Sequence, residues 1–143
     1  MAAEPDALAA HLSLFLKAIS PLFVVVGALH LALGLGADVM LGAAIPPGVL
    51  LDPVLDSQNR FYGVAFSLYG VLLFICAADL EKYQTVLRAV LLVFLAAGAA
   101  RVVSVAVSGV PALPVVLLLA SELLLPPVLL VWLGHALRGG ALR

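Results

Sequence analysis

The residues that could do chemistry in this chain are few, and they stand inside or beside long apolar runs, where a charge calls for a partner or a purpose. Glu122 lies in LLLASELLLPP, near the middle of an apolar stretch. A glutamate at that depth has no short route to the headgroups, so it is either protonated or paired with a cation. Pro126, four residues on, has no amide to give the Glu122 carbonyl, which predicts a partly unsatisfied, kinked turn there. Arg101 sits in GAARVVS, roughly 9 Å from the near end of its run. It shares a small, polar helical face with Ala97, Ser104 and Ser108. Two readings are open for it: snorkelling to the headgroups, or facing inward to Glu122. An Arg101–Glu122 pair could in turn be a structural lock between two helices or part of a working site.

A third element is DSQNRFYG, residues 56–63. Asp56 or Ser57 is expected to cap a helix here, with Arg60 one turn inside. Arg60, Gly63, Ser67 and Gly70 then form a face small enough for close helix approach. Asn59 and Tyr62 flank Arg60, and Tyr62 also fits an interfacial aromatic belt. His30 falls on a face with Gly27 and Gly34, either as a hydrogen-bonding packing residue or as a ligand-binding one. With Glu122 moving a proton and Arg101 and Arg60 stabilising a developing oxyanion, the set could support metal-free acid–base chemistry of the isomerase, hydratase or cyclase type. Glu122, Arg101 and Arg60 are the candidate catalytic residues. His30, Asn59, Tyr62 and Ser104 are the candidate ligand-binding residues.

No metal and no cofactor are expected. His11 and His135 lie too far from His30, no HxxxH or HExxH pairing occurs, and Cys76 is the single cysteine, which rules out dithiol redox chemistry.

The elements that must hold these residues follow from composition. Apolar residues are 65% of the 143 and charged residues 10%, with a mean hydropathy of +1.26. A soluble domain carries about 25% charged residues, and one this apolar would aggregate. A net charge of −1 gives no electrostatic case for nucleic acid. The fold expected is all-α: a polytopic membrane four-helix bundle, one domain over residues 1–143, with spans near 14–35, 60–78, 85–107 and 113–137. The first span lacks a basic leader and is expected to stay in the protein. Residues 36–59 form a long outer loop with three prolines and Asp38, Asp52 and Asp56, expected to cap the mouth of the bundle. Lys17, Lys82, Arg88, Arg138 and Arg143 all fall at the opposite end. The excess of basic residues predicts cytoplasmic termini and an inner-membrane location.

That topology brings His30, Asn59, Arg60, Arg101 and Glu122 into the same outer half of the bundle. Two arginines against one buried carboxylate leave positive charge, to be neutralised by Asp56 or by an anionic or carbonyl-bearing ligand. In Asn59-Arg60-Phe61-Tyr62-Gly63, Arg101 with Ser104, Gly109-Val110-Pro111, and Glu122 with Pro126, the chain resembles a family of small bacterial four-helix membrane proteins of uncharacterised function, similar in layout to DoxX-like proteins. The resemblance covers the last 85 or so residues and part of the first helix. It implies the four-helix fold and a shared polar site, and no reaction.

Three functions are compatible with these residues. One is binding, and possible turnover, of a small lipophilic molecule with a polar head entering from the membrane lipid. Another is an accessory subunit packed against other membrane subunits, or a homodimer. The third is a small proton-coupled transporter. No inverted repeat is visible to support the last.

Overall fold

A computed structural model describes residues 5–140. The chain forms α1 (Pro5–Leu33), α2 (Leu35–Met40), α3 (Pro47–Leu50), α4 (Pro53–Ala78), α5 (Gln84–Ser108) and α6 (Leu113–Gly140). There is no strand among the described residues. α1, α4, α5 and α6 are the four helices long and apolar enough to cross a membrane, and the chain is an integral membrane protein by that measure.

The long helices pack in a ring, α1 on α4, α4 on α5, α5 on α6 and α6 back on α1. Leu12, Leu16, Leu73, Leu87, Leu91 and Leu133 fill its axis. Phe23, Phe66, Tyr69 and Phe94 form an aromatic layer, with Phe23 stacked at 5.2 to 5.3 Å from the other three rings. Tyr69 donates its hydroxyl to the Val90 carbonyl, and Trp132 Nε1 donates to the Leu8 carbonyl at 3.1 Å. Both polar aromatic tips thus satisfy a backbone acceptor on a neighbouring helix. Leucine and valine side chains cover the outer faces, as a lipid solvent allows.

The tightest crossing is α1 on α4. A Cβ built on Gly63 would lie 2.7 Å from the Gly27 carbonyl oxygen and 2.8 Å from the Leu31 amide. Gly70 sits equally close to the Ser20 carbonyl, at 2.6 Å. The small face read along Arg60, Gly63, Ser67 and Gly70 is therefore a helix-packing seam.

Two boundaries differ from the sequence reading. α1 is helical from the first described residue, well before Leu14, because Ala7, Leu8, Ala9 and Ala10 are strong helix formers. α4 begins at Pro53, two turns before Arg60. Asp52 caps it, its Oδ1 accepting from the amides of Val54 at 2.8 Å and Leu55 at 3.1 Å. Neither Asp56 nor Ser57 is the cap. A carboxylate followed by proline is the better start: Pro53 fixes a helical φ and has no first-turn amide to satisfy. Asp52→Ala is expected to destabilise the protein by about 1 kcal/mol, and Asp52→Asn by much less. Thermal unfolding in detergent measures both.

The connection from Gly34 to Asp52 is likewise not one long loop, since it holds the helices α2 and α3. Gly34, at φ 55, ends α1 and turns the chain. It admits no side chain, because a Cβ there would run into the Asp56 carboxylate. At Gly42 the connection comes close to the α5–α6 turn, where a Cβ would lie 3.1 Å from Ala112 Cβ. It thus spans from the α1–α4 pair to the α5–α6 pair at this end of the bundle.

Candidate functional site

Glu122 faces inward. The residue is 1% exposed, and Arg101 Nε donates to its Oε1 at 3.0 Å, with Oε2 2.7 Å away as an ion-pair contact. Gly98, one turn before Arg101, makes room for this: a Cβ there would lie 2.9 Å from Glu122 Cβ and 3.2 Å from its carbonyl carbon. The inward face of α5 is therefore Leu87, Leu91, Phe94 and Gly98, with Arg101 at its edge. The stripe of Ala97, Ser104 and Ser108 lies one position off that face, and all three are exposed. Ser104 takes no part in the pair. Close approach to α6 required a missing side chain more than it required polarity, and Gly98 supplies it.

The two partners differ in environment. The Glu122 side chain is almost fully covered, whereas 38% of the Arg101 side chain is exposed. Glu122 Oε2 has no aligned hydrogen-bond donor, because the single Nε–H is directed to Oε1. α6 is helical through Pro126 and Pro127. The carbonyls of Glu122 and Leu123 nevertheless lack the amide donor four residues on.

Arg60 belongs to a different cluster. Its Nε donates to Asp56 Oδ2 at 2.7 Å, and its Nη1 to the carbonyls of Leu31 at 2.6 Å and Ala32 at 3.0 Å. It caps the C-terminus of α1, where carbonyls have no helical partner and the helix dipole favours a cation. Arg101 is the only cation within ion-pair distance of Glu122 among the described residues. Of the two expected ways to balance the second arginine, the structure shows Asp56. Asp56 neutralises Arg60, Glu122 neutralises Arg101, and Asp38 is added.

Asp38, on α2, holds the cap down. Asn59 Nδ2 donates to its Oδ2, and His30 Nε2 lies 3.6 Å from its Oδ1. The other ring nitrogen of His30, Nδ1, is 2.8 Å from the Val26 carbonyl. Asn59 Oδ1 is buried with no partner. Tyr62 is 62% exposed and stands against Phe61 on the outer surface, away from these groups. The structure thus brings together His30 and Asn59 through Asp38, Arg60 with Asp56, and separately Arg101 with Glu122. The sequence reading missed Asp38 as the hub, although an aspartate just beyond a glycine-ended helix was a visible signal. No group of three or more metal-ligating side chains occurs among the described residues.

A family model described as domain of unknown function (DUF4345) matches residues 11–133. The chain belongs to that family. The match takes in the whole of α4 and α5, most of α1 and α6, and every residue of both clusters. Comparison with curated proteins and with solved structures gives no match.

Proposed function

We propose that this DUF4345 protein binds a lipophilic molecule with a hydrogen-bond-donating head at the Arg101–Glu122 pair. The observation that carries the reading is Glu122 Oε2, a buried carboxylate oxygen that shares the one Arg101 Nε–H with Oε1 and has no donor aligned to it. Such a group is stabilised by any hydroxyl or N–H brought to it. Arg101, open along one side, gives the head a second polar contact and a way in from the bilayer. The atom with hydrogen-bonding capacity to spare is an acceptor, so the fitting head is a donor rather than the anion that charge counting suggested. A bound carbonyl neighbour would give Glu122 a proton to move and Arg101 an oxyanion to stabilise. The cluster of basic residues at the opposite end supports a topology with both termini on the cytoplasmic side of a bacterial inner membrane.

Glu122→Gln tests the reading, because it keeps the shape and removes the charge. Lipophiles extracted from the purified protein are compared by mass spectrometry. A donor-bearing species retained by the parent protein should fall by about tenfold in the variant, with helicity unchanged by circular dichroism. Equal content in the two proteins would sink the proposal.

A second reading has its own support. Arg60, Asn59, Asp38 and Asp56 all hold one part of the chain to another, which suits an accessory subunit whose polar groups serve rigidity. Gentle detergent extraction distinguishes the two, since a stable complex with other membrane chains favours the subunit.

A further inference from the structure

A wide opening lies at the end remote from α2 and α3. There the first turns of α1, the end of α4, the start of α5 and the last turns of α6 surround a cavity of about 950 Å³. That is the size of a small-molecule site. Ala9, Ala10, Ala78 and Gly134 keep its walls open. A Cβ added at Gly134 would meet nothing within 4 Å, whereas one at Gly27, Gly63, Gly70 or Gly98 would strike a neighbouring helix. Gly134 therefore serves the opening and no crossing.

The polar groups on this cavity come from separate helices. Arg88 is on α5, His135 and Arg138 are on α6, and Asp79 and Glu81 lie on the α4–α5 turn. Asp79 Oδ1 accepts from the Lys82 amide and so closes its own turn. Neither arginine has a carboxylate within ion-pair distance among the described residues. α5 starts without a side-chain cap, so its first amides add partial positive charge beside Gln84, which also lines the space. Two guanidinium groups from different helices, neither in an ion pair among the described residues, stand with a histidine and an open helix start around one cavity, where Asp79 and Glu81 are the opposing charges. Planar arginine donors match phosphate oxygens in pairs.

We infer that this cavity binds a phosphate group, carried by a lipid head or by a soluble phosphomonoester, between Arg88 and Arg138. The inference is independent of the Arg101–Glu122 pair, and Glu122→Gln should leave it unaffected. Purified protein in neutral detergent is offered phosphatidylglycerol or the phosphate-free diacylglycerol of the same chains and followed by native mass spectrometry. It is separately titrated with glycerol 3-phosphate by calorimetry. Phosphatidylglycerol retained over diacylglycerol, or binding of glycerol 3-phosphate, is the expected result, and which compound binds tells the lipid source from the soluble one. Arg88→Gln and Arg138→Gln, both at exposed positions, should each weaken it by about tenfold. Gly134→Leu should abolish it without changing any charge. Lys17→Gln, outside the cavity, should change nothing. Equal retention of the two lipids with no glycerol 3-phosphate binding would overturn the inference. So would binding that survives Gly134→Leu, since that would be surface attraction alone.

Discussion

Arg101→Leu is expected to destabilise the protein by about 3 kcal/mol or more, and Glu122→Leu by much less. The asymmetry follows from burial. Without Arg101, a carboxylate that is 1% exposed keeps its place in an apolar interior with no cation and no aligned donor. Breaking a buried pair from that side costs about 3–5 kcal/mol. Without Glu122, the guanidinium that remains is on a side chain already 38% exposed, about 10 Å from the end of α5. It can reach the headgroups at small cost. The double variant Arg101→Leu/Glu122→Leu should recover most of what Arg101→Leu loses, because two leucines leave neither charge nor orphan. Unfolding midpoints in detergent for the four proteins of the cycle give a coupling of about 2 kcal/mol. Equal single losses that simply add in the double variant would show that the pair contributes no interaction energy. The result also bears on function: a strongly coupled pair is a lock, and a ligand head must then bind to Oε2 without displacing Arg101.

Hydropathy made the four spans legible, because each is a run that only a bilayer could solvate. The Glu122 pairing was legible for the same reason, since a glutamate stranded at that depth has few alternatives. The start of α4 was misplaced because Asp56 and Ser57 are both good capping residues just ahead of Arg60, where the apolar run begins. In the structure they lie along the first turns of a longer helix whose cap, Asp52, stands just before Pro53. The face of α5 was read one residue off, because Ser104 and Ser108 looked like an inward stripe while the determining residue was Gly98. The role of Arg60 could not be read from its own neighbourhood. It depends on the carbonyls of Leu31 and Ala32, which are free only because Gly34 ends α1. The basic-end cavity was hidden for a related reason: Ala78 and Gly134 have the composition of a packing seam, and only the helix positions show that nothing fills the space.

Gly63→Ala and Gly134→Ala make the same chemical change in two membrane helices, and they should move stability in opposite directions. At Gly63 the new methyl would lie 2.7 Å from the Gly27 carbonyl oxygen, 2.8 Å from the Leu31 amide and 2.9 Å from His30 Cβ. Two of these are backbone atoms, which cannot turn aside, so α1 and α4 must separate. Overpacking of this kind costs about 1–3 kcal/mol, and the larger Gly63→Val should exceed that range. The damage extends beyond the crossing. Moving α1 off α4 withdraws the Leu31 and Ala32 carbonyls from Arg60 and shifts His30 relative to Asp38, so the cap formed by α2 loosens with the seam. At Gly134 nothing lies within 4 Å, and the methyl only removes the conformational freedom of a helical glycine. That should stabilise the protein by up to about 1 kcal/mol. Unfolding midpoints measure both signs, and limited proteolysis between Gly34 and Asp52 should quicken in Gly63→Val and stay unchanged in Gly134→Ala. Tolerance of valine at Gly63 with no loss of midpoint would mean that α1 and α4 do not meet at this crossing, and the positions of Arg60, Asn59 and His30 would have to be rebuilt from another packing.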